Sequence, residues 1–504
     1  MADIDEYCNS ASHKILGIFG LRRTGKSVLL RSKALDLLKQ GKNLVFFDFE
    51  LDSTPVFSDL ICDLKLCKKY GVEYVFIDEL TFLKKEIVAE LSGDRVDVPE
   101  FPSRGMEIFA HTIQAGIKCI VSGTDSYCLS LAYADSLFER MQFIRTTCIP
   151  YAEYIRLMGN VSVLEFIRTG GILPKGDAYN WSKYAETAII DNIIRSIKAI
   201  HPVSSKYAYV RYLHDDEIRS LIIYALSVQD LEFIDKLFSR EYWYPEFSDG
   251  IDFLEKLKDP VTGEADPVIF SAGFKARVKA AIREKLHLSR ISDDVLNVAL
   301  AEMEDALVEL DVITAHSLYT VKKTGRGEVA LKALVYAISI PGLRAYQFDA
   351  TMKSVRETAL EFESNDDREL LLKKIAESAE GHLLEKLILS ETSRYMPDLY
   401  NVSTYRIFDR EVDLVAENLQ TREVSFFEIK RSEQADETQA KHFTATPFLA
   451  DYIDHSPGAL VKSCNVIYNG VTQIIHLRNS CDAREIAVNY INAAEYLKDI
   501  GKWL

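Results

Sequence analysis

Residues 14–30 read KILGIFGLRRTGKSVLL, and this stretch decides the fold. The apolar run Ile15–Phe19 has the composition of a buried strand, and Val28-Leu29-Leu30 opens a helical pattern. Between them stand Gly20, four residues, and Gly25-Lys26-Ser27, a full match to the phosphate-loop spacing. The glycines let the backbone curl so that its N–H groups converge on phosphate oxygens, at a helix N-terminus whose dipole favours anions. Lys26 is then expected to meet the β- and γ-phosphates. Ser27 is expected to offer its hydroxyl to Mg²⁺, a hard ion that takes oxygen ligands and keeps several waters. Arg22, Arg23 and Thr24 complete the nucleotide-binding loop, and the expected ligands are ATP and Mg²⁺.

Working outward, YVFIDEL delivers Asp78 and Glu79 at the C-terminal end of an apolar strand, the edge at which open α/β sheets bind ligands. Asp78 is expected to orient magnesium and its waters, and Glu79 to polarise the attacking water, which points to hydrolysis. A further strand, IKCIVSG, leads into Thr124-Asp125-Ser126, where a polar side chain is positioned to sense the γ-phosphate. Arg22, Arg23, Arg140 and Arg145 are candidates for neutralising transition-state charge, weighed against a solvated surface role.

The first 150 residues alternate such strands with helices, the pattern of a parallel sheet. The expected strands are Ile15–Phe19, Leu44–Phe49, Tyr74–Asp78, Lys118–Ser122 and Gln142–Cys148. Four segments follow from the changes of pattern. Residues 1–157 form the P-loop ATPase core, 158–262 a helical lid or connector, 263–345 a winged-helix-like unit, and 346–504 a second α/β unit. The winged helix rests on helices Ala272–Lys285 and Asp293–Glu309, then strands Val312–Lys322 and Val329–Ile338 around the turn KKTGRGE. Its basic tip is Lys322, Lys323 and Arg326. Its recognition helix is acidic, so a structural or partner-docking role is preferred over duplex contact.

In the last unit, REVDLVAEN and VSFFEIKRS put Asp413 on one strand and Glu428 and Lys430 on the next. Side chains two apart on a strand share a face, so Glu428 and Lys430 project together and a hairpin brings Asp413 beside them. Two carboxylates suit a divalent metal that acidifies a bound water, with the lysine stabilising charge on a scissile phosphodiester. Glu385, in GHLLEKLIL, is the expected third acid. Gln434 and Gln439 are auxiliary contacts, and Lys430, Arg431 and Lys441 the expected meeting place with DNA.

Several of these stretches carry a resemblance. GLRRTGKS, VFIDEL, SGTDS, IPYAEYIR and GGILP resemble the prokaryotic AAA-type ATPases that bear a C-terminal domain of PD-(D/E)xK nuclease type, over most of the chain. The resemblance implies a phosphate-loop role for Gly20, Gly25, Lys26 and Ser27, magnesium and water activation for Asp78 and Glu79, and a sensor at Thr124 or Asp125. The order Glu385, Asp413, Glu428-x-Lys430 resembles the core of the nuclease domain. The family's Gly-Arg pair is replaced here by Glu139-Arg140, and its Gly-Gly-x-Pro turn by Gly170-Gly171-Ile172-Leu173-Pro174. The implied fold is therefore α/β throughout, an AAA/STAND-like P-loop domain, a lid, a winged helix and a restriction-endonuclease-like domain.

Composition bounds these readings. The 504 residues are 48% hydrophobic and 27% charged, which suits packed domains rather than disorder. A net charge of −16 excludes a surface that draws nucleic acid by its overall field, though not a local basic groove. The acidic, polar N-terminus and the lack of any apolar run of about 18 residues argue against a secretory signal or a membrane span, so the expectation is a cytoplasmic protein. Eight scattered cysteines with no zinc-like spacing point to reduced, buried thiols. Two functions fit. One is an ATPase that controls a DNA nuclease. The other is a nucleotide-regulated assembly protein, self-associating or not, whose last domain only binds a partner or nucleic acid.

Overall fold

The computed structural model describes residues 2–12, 14–49, 57–80, 116–123, 141–174, 180–198, 206–227, 280, 282–284, 286–325, 327–358, 365–408, 410–479 and 485–504. Thr124, Asp125, Ser126, Glu139, Arg140, Arg326 and most of the helix expected at 272–285 lie outside them. The chain divides into two units. The first comprises Met1–Ile149, Ile172–Ile222 and Arg290–Val312, and the second Pro150–Gly171, Ile223–Ser289 and Ile313–Leu504.

In the first unit, β1 (Ile15–Phe19), β2 (Leu44–Asp48), β3 (Tyr74–Asp78), β4 (Lys118–Ser122) and β5 (Met141–Arg145) form one sheet in the order β2-β3-β4-β1-β5. Every pairing is parallel. Helices α1 (Ala2–Asn9), α2 (Lys26–Lys39) and α3 (Phe57–Lys69) supply the cover that parallel strands need. The alternation along the strands is divided between two cores. Ile15, Val75, Ile77, Cys119 and Val121 pack with Leu60 and Leu64 of α3. Leu16, Ile18, Phe76 and Ile120 pack with Ile4 and Tyr7 of α1 and Leu30 and Leu37 of α2. Helix α4 (Asp293–Glu309) also belongs to this unit.

In the second unit, eight strands form a mixed sheet in the order β12-β13-β11-β10-β9-β8-β6-β7. They are β6 (Ile313–Thr324), β7 (Gly327–Ile338), β8 (Tyr400–Ile407), β9 (Arg410–Asn418), β10 (Glu423–Ile429), β11 (Leu460–Tyr468), β12 (Gln473–Arg478) and β13 (Glu485–Asn492). Helix α5 (Asn365–Arg394) is the long helix of the unit, and Leu383, Leu384, Leu387 and Ile388 are buried on it. Phe426, Phe443, Phe448 and Tyr452 lie at the heart of the other core, with three of these rings packed around Phe426.

The hairpin expected as the wing of a winged helix is present as β6 and β7, but it is not a free wing. Residues Ser317–Val321 of β6 pair in parallel with Ser403–Ile407 of β8, which makes the hairpin the margin of the eight-stranded sheet. A strand has two edges, and the local sequence reports only the one its hairpin partner occupies. The sequence reading also ended before β12 and β13. Among the described residues six cysteines form no disulfide, five of them buried, and no helix is long and apolar enough to cross a membrane.

Candidate functional sites

The phosphate loop begins where β1 ends. Gly20 has φ 146°, and a Cβ there would stand 2.2 Å from the Thr146 hydroxyl oxygen, so only glycine fits between β1 and the end of β5. Thr146 is tied to β1 through its N–H, which donates to the Phe19 carbonyl at 2.7 Å. Its hydroxyl shares a 2.7 Å bond with that of Thr24, which also donates to the Leu21 carbonyl at 2.8 Å. Arg23 (φ 65°) and Gly25 (φ 91°) both turn left-handed, and α2 starts at Lys26 with Gly25 as its N-cap. Two bonds from the segment beginning at Ile172 hold the loop from outside. Leu173 N–H donates to the Arg23 carbonyl at 2.9 Å, and the Tyr184 hydroxyl donates to the Arg22 carbonyl at 2.8 Å. Arg23 also lies 5.7 Å from the centre of the Tyr184 ring.

Lys26 is buried and folds back on this loop, donating to the carbonyls of Gly20 at 2.9 Å and Leu21 at 2.8 Å. Burial lowers its pKa to about 8, against the opposing pull of Glu79 and Asp78. Ser27 Oγ donates to Asp78 Oδ1 at 3.2 Å, although β4 separates β1 from β3 in the sheet. Asp78 Oδ1 also accepts a short hydrogen bond from Ser122 at the end of β4. The Ser122 hydroxyl oxygen accepts from Glu79 N–H at 3.3 Å, and Glu79 itself is held at φ 60°. On the far side Arg31 of α2 bonds Asp48 at 2.7 Å and stands 3.8 Å from Asp78 Oδ2. A hydroxyl and a carboxylate sharing one bond, with hard oxygen donors only, fit magnesium.

Gly20, Arg22, Arg23, Thr24, Gly25, Lys26, Ser27, Asp78 and Glu79 are thus brought to one end of one sheet. Thr124 lies outside the described residues. Arg145 does not join them. Its guanidinium donates to the carbonyls of Val308 and Glu309 at 3.0 and 3.1 Å, at the C-terminal end of α4, where a cation meets the negative end of the helix dipole. The sequence reading missed Ser122, Thr146, Arg31 and Tyr184. Of these only Ser122 had a signal, a polar residue closing the apolar run Cys119–Val121.

In the second unit, the register that sets Phe427 against Leu414 brings Asp413 and Glu428 side by side on β9 and β10. Asp413 Oδ2 accepts from Ile429 N–H at 2.7 Å. Lys430 lies 2.9 Å from Glu428 Oε2 and 3.7 Å from Asp413 Oδ2, while Glu428 Oε1 is 2.8 Å from Nδ1 of His442. Burial drives Asp413 well above the usual carboxylate range against the pull of Lys430, and the charges of Glu428 and Glu385 act in the same sense as burial. Burial acts on Glu428 in the same sense, but Lys430 and His442 outweigh it and leave Glu428 below its ordinary value. The surroundings thus push the two acids apart, Asp413 toward its protonated form and Glu428 toward ionisation against the lysine.

Glu385 of α5 acts on this pair through its charge. Nonetheless, among the described residues no group of three or more His, Cys, Asp or Glu side chains is placed to hold a metal ion. Lys430 stands within reach of both carboxylates. Gln439 turns away to cap the turn Glu437–Ala440, bonding Ser432 and the Gln434 carbonyl at 2.7 and 3.1 Å. Arg431 pairs with Glu380 at 2.7 Å. His442, two residues beyond Ala440, was not expected.

Comparison with known proteins bears on the first unit. No curated protein matches the chain. The solved structure of AMPPCP-bound DnaA from Aquifex aeolicus aligns at 13% identity and a TM-score of 0.22, over 44% of this chain and 75% of that one. The ORC2 protein of Aeropyrum pernix, solved in ADPNP-ADP complexes, aligns at 11% identity and a TM-score of 0.21, over 70% and 93%. Both superpositions are too loose to carry a fold or a function across. The family model described as an AAA domain matches residues 12–155, which hold β1, the phosphate loop, Asp78, Glu79, Ser122 and Thr146. The chain therefore carries an AAA-type P-loop domain over that stretch.

Proposed function

We propose that this chain is an ATP-hydrolysing, magnesium-dependent switch whose nucleotide state governs its second unit. The observation that carries the reading is the meeting of Ser27, Asp78 and Ser122 beside Lys26 and Glu79, at the C-terminal edge of a parallel sheet. Lys26 exchanges the carbonyls of Gly20 and Leu21 for β- and γ-phosphate oxygens. Ser27 and Asp78 hold magnesium, which when bound draws charge from the phosphates. Glu79 takes the proton of the water that attacks the γ-phosphorus, and the bond broken is the one to the β–γ bridging oxygen. Arg22, Arg23 and Thr24 shape the loop around the phosphates, and Thr124 is assigned the sensing role.

For the second unit the first reading is a DNA nuclease centre built on Asp413, Glu428 and Lys430, supported by their convergence across β9 and β10. A second reading, in which the unit binds DNA or a partner without cutting, is favoured by the bonding of Glu428, whose two oxygens are both taken by His442 and Lys430.

The test incubates the purified chain with linear and circular DNA, magnesium or manganese, with and without ATP, beside Lys26→Ala and Lys430→Ala. ATP hydrolysis that persists in Lys26→Ala overturns the switch. Cleavage by wild type that is lost in Lys430→Ala supports the nuclease, and absence of cleavage with either metal leaves the binding reading.

A further inference from the structure

Among the described residues, the sheet of the second unit ends on β7, which pairs with β6. Sheet margins are ordinarily kept short, bulged, interrupted by proline or heavily charged, so that no foreign strand adds to them. β7 uses none of the first three devices. It is 12 residues long, its register against β6 runs unbroken from Gly327 to Ile338, and it contains no proline. Residues 327–334 are exposed on both faces, and Val329, Leu331 and Leu334 stand 40%, 50% and 58% open to solvent. The opposite margin, β12, has 6 residues and carries His476 and Arg478.

Only two charges lie on β7, Glu328 and Lys332, and they are symmetric about Ala330. Suppose two copies of β7 run antiparallel about a twofold axis through Ala330. Glu328 then faces the partner's Lys332 twice, and Val329 faces the partner's Leu331 twice, while Ala330 meets itself. The pairing joins residues of like parity, so whichever alternate set turns its N–H and C=O groups outward meets the same set. Neighbouring registers lose this match. Centring on Val329 sets Glu328 against Ala330, so the acid meets no base. Centring on Leu331 sets Glu328 against Leu334 and Lys332 against Ala330. Cross-strand pairs favour opposite charges and apolar partners, so the sequence of β7 selects the Ala330 register.

The present contacts of these charges do not close the edge. Glu328 is bonded to Nε2 of His455 at 3.0 Å, and Lys332 lies 5.2 Å from the centre of the Tyr319 ring. Both contacts are made by side chains, and residues 328–334 remain exposed to solvent.

We propose that β7 is a self-association edge, through which two copies of this chain join in antiparallel register centred on Ala330. Sedimentation of the full chain, followed over a range of concentrations, tests this with three variants. Wild type is expected to pass from monomer to dimer. Lys332→Glu sets acid against acid twice and is expected to raise the dissociation constant at least about tenfold. The double swap Glu328→Lys with Lys332→Glu restores the charge match and is expected to return within about threefold of wild type. Ala330→Cys, made alongside Cys62→Ser, is expected to form an intermolecular disulfide that Cys62→Ser alone does not. Circular dichroism melting confirms that each variant is folded, and if Lys332→Glu does not fold, the Ala330→Cys crosslink decides. A wild type that stays monomeric up to about 100 µM, a dimer indifferent to Lys332→Glu, or no crosslink at Ala330→Cys overturns the proposal.

Discussion

Lys26 is an ammonium turned inward, and its lowered pKa follows from that burial. Phosphate oxygens favour the charged form, so nucleotide binding takes up a proton wherever free Lys26 has lost its own. Affinity is therefore expected to be flat below about pH 7 and to fall as pH rises through about 8, by at most about tenfold per unit. Isothermal titration in buffers of different ionisation enthalpy measures both the affinity and the proton uptake. Constant affinity up to about pH 9.5 would contradict the burial of this side chain. Ser122 holds the carboxylate that faces Ser27, so Ser122→Ala is expected to cut ATP turnover about tenfold while nucleotide affinity stays within about threefold. Lost affinity with unchanged turnover at saturating ATP would mean that Ser122 acts on binding alone. Asp413 presents the opposite sign of linkage. Its folded-state pKa is raised, so its contribution to stability is present below the ordinary carboxylate value and is lost as pH rises through the folded value. At pH 8 Asp413→Asn, which keeps an acceptor for Ile429 N–H, is expected to raise the melting temperature by about 2–4 °C, and to lose that advantage near pH 4. A lower melting temperature at pH 8 would show that Asp413 is ionised.

At the scale of elements, the strand–loop–helix from Ile15 to Lys39 was legible because everything it needs is contiguous. The apolar strand, the glycines at special dihedrals and the lysine after the turn lie within one short window. Ser122 and Thr146 were harder to read, because their roles come from being strand-end neighbours of β3 and β1, and adjacency in a parallel sheet is not adjacency in sequence. The hairpin β6–β7 was legible as a hairpin for the same local reason, and its membership of a larger sheet was not, since β8 arrives far later in the chain. Asp413, Glu428 and Lys430 were readable as one face of two strands. The ring of His442 was invisible because a turn and a helix start bring it back over the sheet. The contact of β1 with the end of β5 gives an element-scale prediction. Gly20→Ala must displace Thr146, and is expected to abolish measurable nucleotide binding and to destabilise the first unit by about 1–3 kcal/mol. Binding of ATP to Gly20→Ala at wild-type affinity would mean the close approach is not required.

At the scale of the whole molecule, composition told less than motif. A charge of −16 spread over two units neither selects nor excludes the proposed ligands, whereas one phosphate loop does. If a nucleotide binds only the folded first unit, a non-hydrolysable ATP analogue with magnesium at about a hundred times its dissociation constant is expected to stabilise that unit by about 2.7 kcal/mol. Calorimetric unfolding with and without the analogue measures it, and Lys26→Ala should remove the shift.

The two bonds that reach the phosphate loop from Leu173 and Tyr184 also set an order of events during synthesis. A ribosome that has made only the stretch matched as an AAA domain has released every residue of the motif, yet neither of these bonds. The nascent chain must lengthen past Tyr184 before the loop gains its outer support, and such long-range closures form late. A fragment cut at the family boundary inherits the motif without this brace.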